Sequence, residues 1–72
     1  MKILLVEDDI MLNEMITEYL TSTGHAIISA KTGLQSLEIL EKEKFDLLIL
    51  DINLPDIDGF TILEIMHEQK RM

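Results

Sequence analysis

The chain has 72 residues, 47% of them apolar, with one Pro, three Gly and no Cys. That length holds one domain, and the lack of Cys excludes disulfides, thiolate metal sites, iron–sulfur clusters and cysteine nucleophiles; folds below roughly 70–80 residues then lean on a hard metal or a partner chain. Fourteen acids against six bases give a net charge of −8, which excludes a basic footprint for nucleic acid or an anionic membrane, and the short apolar runs exclude a transmembrane span or signal-peptide core, so the sequence reads as cytoplasmic.

The first predicted element is Ile3-Leu4-Leu5-Val6, a continuous apolar run suited to a strand buried on both faces. It ends abruptly in Glu7-Asp8-Asp9. Leu12, Met15, Ile16, Tyr19 and Leu20 then recur at helical spacing, with Asp8 or Asp9 placed to cap the helix start. Gly24 suits the left-handed position just past its end. His25 to Ser29 reads as a second strand. Thr32 and Gln35 have capping-box spacing, and Leu34, Leu37 and Leu40 follow on a second helix. Phe45 to Leu50 is a third strand, stopped by Asp51. A loop containing Pro55 leads to Asp58-Gly59 and a third helix, on which Phe60, Leu63 and Met66, with Ile62 and Ile65 beside them, are expected to face inward. The order β-α-β-α-β-α predicts an α/β fold with parallel strands and helices on both faces.

Two of the three strands end in acid. Function gathers at the carboxyl ends of strands in a doubly wound sheet. If strands one and three are neighbours, Glu7, Asp8 and Asp51 converge there. Crowded carboxylates raise one another's proton affinity, and a divalent cation relieves the repulsion. An all-oxygen donor set suits Mg²⁺ rather than zinc, and the carbonyl of Asn53 is placed to add a ligand. A carboxylate beside Mg²⁺ can attack phosphorus and form an aspartyl phosphate. Asp51, alone at its strand end, is the candidate acceptor, while Glu7 and Asp8 form a pair suited to holding the ion. The plainer reading makes these acids helix caps and strand-end solubilisers. Asp9, Asp56 and Asp58 are assigned to such roles, as helix-start, turn and N-cap residues. Acids at two alternate strand ends of one βαβαβ unit favour a metal site.

Met1 to Asp9 and Asp46 to Phe60, the latter reading Asp46-Leu47-Leu48-Ile49-Leu50-Asp51-Ile52-Asn53-Leu54-Pro55-Asp56-Ile57-Asp58-Gly59-Phe60, resemble the receiver domain of two-component response regulators, in wording closest to the OmpR-like subfamily. Gly24, Ala30, Gly33 and Leu37 also fall where that family places similar residues. The resemblance covers essentially the whole chain. It implies a flavodoxin-like (CheY-like) fold with strand order 2-1-3 for the part present. It implies Asp51 as phosphoacceptor, Mg²⁺ held by Glu7, Asp8, Asp51 and the Asn53 carbonyl, a histidine kinase as phosphoryl donor, and a transcription regulator as parent. Family receivers have five strands and five helices, with a Ser/Thr and a Lys at the ends of strands four and five. Residues 1–72 match a partial receiver domain, reaching only the third helix, so the acceptor half of the site is expected here and those two groups are not.

Strand 46–50 would then be an edge, and a long apolar edge invites pairing with another chain. A homodimer is expected through this edge or by exchange of a helix, completing the sheet. No direct nucleic-acid contact and no membrane partner are expected of this segment. The chain is not expected to be an enzyme beyond accepting and losing the phosphoryl group. Haloacid-dehalogenase-type phosphatases need an acid/base Asp where this chain has Asn53, and no Gly-rich GK[ST] loop supports a P-loop NTPase. The alternative is a non-signalling assembly fragment whose acidic site is inherited but idle. His25 and His67 lack a second ligand at useful spacing, and the five Met read as core filler.

Overall fold

A strand with no polar face must be covered on both sides. Ile3 to Val6 is such a segment, and it forms the centre of the molecule. In the computed structural model, which describes residues 1–51 and 54–71, β1 (Lys2–Val6) pairs in parallel with β2 (Ala26–Ala30) on one side and β3 (Leu47–Leu50) on the other. Helices α1 (Ile10–Ser22), α2 (Gly33–Lys42) and α3 (Gly59–Arg71) alternate with the strands. The sheet order is 2-1-3, as the resemblance implied. Val6 lies opposite both Ala30 and Leu50. The strands therefore end level, and the next residues, Glu7, Lys31 and Asp51, share one rim of the sheet.

Strand alternation sends Leu4 and Val6 to one face and Ile3 and Leu5 to the other. Leu4 and Val6 join Ala30, Leu40, Phe45, Leu54, Ile62 and Met66 in the main core, under α2 and α3. Ile3 and Leu5 are buried on the opposite face, which α1 covers. The four apolar residues of β1, Ile3 to Val6, are at most 2% exposed, so covering both faces of this strand is what the two helical layers accomplish.

The helix faces differ from the expected ones. On α1 the inward stripe is Asn13, Ile16, Thr17 and Leu20, at the i, i+3, i+4, i+7 spacing of one helix face. Leu12, Met15 and Tyr19, which recur at the same helical spacing, are exposed, Tyr19 by 68%. On α3, Ile62 and Met66 are buried, but Phe60 and Leu63 are not: they stand 58% and 50% exposed. Leu34 of α2 is exposed too. Each helix carries more apolar surface than a three-stranded sheet can cover, so the pattern names the apolar residues but not which of them find a partner. Strand three is also shorter than expected. Phe45 is buried ahead of it, and the Asp46 carboxylate accepts from the Lys2 N–H at 2.8 Å. The second strand starts one residue after His25, whose Nδ1 lies 3.3 Å from the Met1 ammonium.

Local signals hold the termini of α1 and α2. Asp9 caps α1, its Oδ1 accepting from the Leu12 N–H at 3.1 Å. Gly24 follows the α1 C-cap with φ of 92°, a backbone that L side chains resist. Thr32 Oγ1 caps α2 by accepting from the Gln35 N–H at 3.0 Å. The reciprocal arm lands one residue earlier than a capping box predicts, with Gln35 Oε1 accepting from the Lys31 N–H at 2.9 Å.

Candidate functional site

The level strand ends bring two acidic segments together. The Glu7 N–H donates to the Ala30 carbonyl at 3.0 Å and the Asp51 N–H to the Val6 carbonyl at 3.0 Å, so each acid is held by one further rung of the ladder. Glu7, Asp8 and Asp51 each place a carboxylate oxygen within 4.8 Å of the other two. Glu7 and Asp51 are half-buried, and Asp8 is exposed. The three acids singled out in the sequence thus share one site. Asn53, the fourth expected contact, lies outside the described residues. Asp9 stands apart from the group because its carboxylate is committed to the α1 cap.

The electrostatics show the strain of this arrangement. The Asp9 N–H bonds to Glu7 Oε2 at 3.1 Å and draws the Glu7 proton affinity down. Partial burial, a hydrogen bond with the Asp8 side chain, and the charges of Asp51 and Asp8 act the other way and prevail, so the Glu7 carboxyl sits above its usual range. A cation among the three would reverse that balance. Oxygens bound to one Mg²⁺ at about 2.0–2.1 Å lie no more than roughly 4.2 Å apart. The three oxygens here fall within 4.8 Å of one another, so small side-chain rotations or an intervening water suffice. The donor set is oxygen only, carries up to three negative charges and opens to solvent through Asp8. It fits a hard divalent cation.

Two supports of this rim were not legible in the residue pattern. Asn13 reads as a polar residue between apolar ones, yet it is 2% exposed. Its Nδ2 donates to the Glu7 carbonyl at 3.1 Å and the Ala30 carbonyl at 3.4 Å, and its Oδ1 accepts from Thr17 Oγ1 at 3.4 Å. It ties α1 to the backbone that carries the acid pair. Asp56, read as a turn residue, instead reaches across to α2: its two oxygens accept from the Gly33 and Leu34 N–H groups at 2.9 and 2.8 Å. Asp58 acts as read, with Oδ1 accepting from the Phe60 N–H at 3.0 Å at the start of α3.

Comparison with known proteins agrees with this geometry. Residues 3–72 match the model of the response regulator receiver domain family, and the chain belongs to that family. It is 36% identical over 69 residues to the uncharacterized transcriptional regulatory protein YcbL of Bacillus subtilis, covering 96% of this chain and 30% of that protein. Among solved structures it resembles the non-phosphorylated HemR receiver domain of Leptospira biflexa, with a TM-score of 0.88 and 36% identity, over 97% of this chain and 56% of the other. It is also similar to the response regulator TrrA of Thermotoga maritima, solved in complex with Mg²⁺–BeF, with a TM-score of 0.86 and 31% identity, over 97% of this chain and 61% of that one. The chain thus spans under a third of the length of YcbL and somewhat over half of these two solved chains.

Proposed function

We propose that residues 1–72 are part of a receiver domain whose Asp51 accepts a phosphoryl group in a Mg²⁺-dependent reaction. The observation that carries this is the meeting of Glu7, Asp8 and Asp51 at the level ends of β1 and β3. In the step, an Asp51 carboxylate oxygen forms a bond to phosphorus as the bond to the leaving group breaks. The leaving group is the imidazole of a histidine kinase, or acetate when acetyl phosphate is the donor. Glu7, Asp8 and Asp51 would hold the cation, joined by the Asn53 carbonyl, and the cation offsets charge on the phosphoryl oxygens. The Mg²⁺–BeF complex of TrrA supports a site of this chemistry on the same fold. The chain acts as a phosphoacceptor rather than an enzyme. Its parent is a cytoplasmic transcription regulator, a reading supported by the name of YcbL; among the described residues, no helix is long and apolar enough to cross a membrane.

The 72-residue chain by itself forms a two-fold dimer, supported by the apolar β3 edge, where Leu47 is exposed. Intact mass after incubation with acetyl phosphate tests the phosphoacceptor reading. A single phosphoryl adduct that needs Mg²⁺ and is lost in Asp51→Asn is expected. A folded wild-type chain that gains no adduct would leave the acids as an idle, inherited cluster.

A further inference from the structure

The loop that follows Asp51 is fastened to a helix that contributes no acid to the site. Asp56 makes the fastening, through its paired bonds to the Gly33 and Leu34 N–H groups. Thr32 takes only the Gln35 N–H of the α2 N-terminus, so Asp56 satisfies two further N–H groups of that first turn from a distant part of the chain and thereby ties the two together. The approach is close enough to dictate the residue at position 33. A Cβ there would overlap Ile57 Cγ1 and come within 3.1 Å of Asp56 Oδ1. Leu54, in the same loop, is buried in the main core at 8% exposure. On the other side, the Asp51 N–H is bonded to Val6. Only two residues join Asp51 to Leu54, so a shift of the anchored loop reaches Asp51 through a few peptide units.

We infer that Asp56 is a positioning residue for the acidic site: by clamping residues 54–58 onto the N-terminus of α2, it anchors the chain three residues beyond Asp51 and so limits where that carboxylate can sit for a cation. This rests on the reading of the cluster as a Mg²⁺ site. The bidentate, charge-assisted form of the clamp matters, because a single neutral acceptor leaves one N–H unsatisfied and the loop free to pivot.

Calorimetric titration with MgCl₂, paired with urea unfolding, tests it on the whole chain. Asp56→Ala and Gly33→Ala should each weaken Mg²⁺ binding about three- to tenfold, up to the lower limit of the roughly 10–100-fold that groups bonded directly to metal ligands are worth, because Asp56 acts through the backbone. Asp56→Asn, which keeps one acceptor oxygen, should fall between them and the wild type, and it serves if the alanine variants do not fold. Thr32→Ala, which uncaps the same helix without touching the loop, should lower stability and leave the affinity unchanged. Wild-type affinity in folded Asp56→Ala, or in Asp56→Asn where the alanine variants do not fold, would overturn the inference and leave Asp56 a tie of the fold alone. A wild-type chain that binds no Mg²⁺, or binds it equally well as Asp8→Asn, would overturn the reading of the cluster and this inference with it.

Discussion

Asn13 and Asp56 show how single polar residues set the rim on which the acids stand. The Asn13 amide reaches the Glu7 carbonyl from inside the fold, at 2% exposure. Replacing it by an apolar residue of similar size takes the amide away from that part-buried carbonyl and from the buried Ala30 carbonyl, and a buried group left short of a partner costs about 1–3 kcal/mol. Asn13→Leu should therefore destabilise by that amount in urea unfolding. Met15→Ala, two residues on and 63% exposed, should stay within about 0.5 kcal/mol. Asp56 carries a different signature. Bonds from the Leu34 and Gly33 N–H groups hold its carboxyl below the ordinary value of 3.8. A lowered folded pKa stabilises above the unfolded value, and that contribution is lost as pH falls through the folded one. Asp56→Asn should thus unfold at lower urea than wild type at neutral pH. The two midpoints should converge in acid, below the folded pKa of Asp56.

At the scale of elements, the helices separate what is amphipathic from what is buried. Ile62 is fully buried and Leu63 half exposed on the same turn of α3. Ile62→Ala should cost about 2–5 kcal/mol as a core cavity, and Leu63→Ala should cost about 0.5 kcal/mol or less. Thermal or urea unfolding of the pair checks which face of α3 the core uses. The sequence pattern places Phe60, Leu63 and Met66, with Ile62 and Ile65 beside them, inward; Ile62 and Met66 are buried and Ile65 half-buried, while Phe60 and Leu63 are exposed. Periodicity cannot settle this, because α3 is apolar around more than half its circumference and the sheet beneath it has three strands. The strands were legible for the opposite reason: Ile3 to Val6 has no polar face, so only a doubly covered, central position suits it. Asp9, Gly24 and Thr32 were legible because caps act locally, through atoms two or three residues away. Asn13 and Asp56 were not, because their partners lie up to 23 residues off in sequence.

For the whole molecule, the level strand ends matter most. The register of β1 with β3 turns two acidic segments 44 residues apart, Glu7 and Asp51, into one cluster. That convergence depended in the sequence on strands one and three being neighbours, which the 2-1-3 order supplies. The same order leaves Leu47 at an edge, 40% exposed. The isolated 72-residue chain is expected to sediment as a dimer at micromolar concentration, and Leu47→Lys, which places a charge on that edge, should shift it towards monomer. A wild-type chain that sediments as a folded monomer would refute the pairing without touching the acidic site.

The measurement that bears most directly on that site is localisation of the phosphoryl group. The chain is incubated with acetyl phosphate with and without Mg²⁺, the acyl phosphate is reduced with borohydride, and the peptides are mapped by mass. Mg²⁺-dependent reduction at Asp51 alone, with Glu7, Asp8 and Asp56 unchanged, is the predicted result. Label on another acid, or label at Asp51 that is indifferent to Mg²⁺, would contradict the account of Asp51 as acceptor beside a cation held by Glu7 and Asp8.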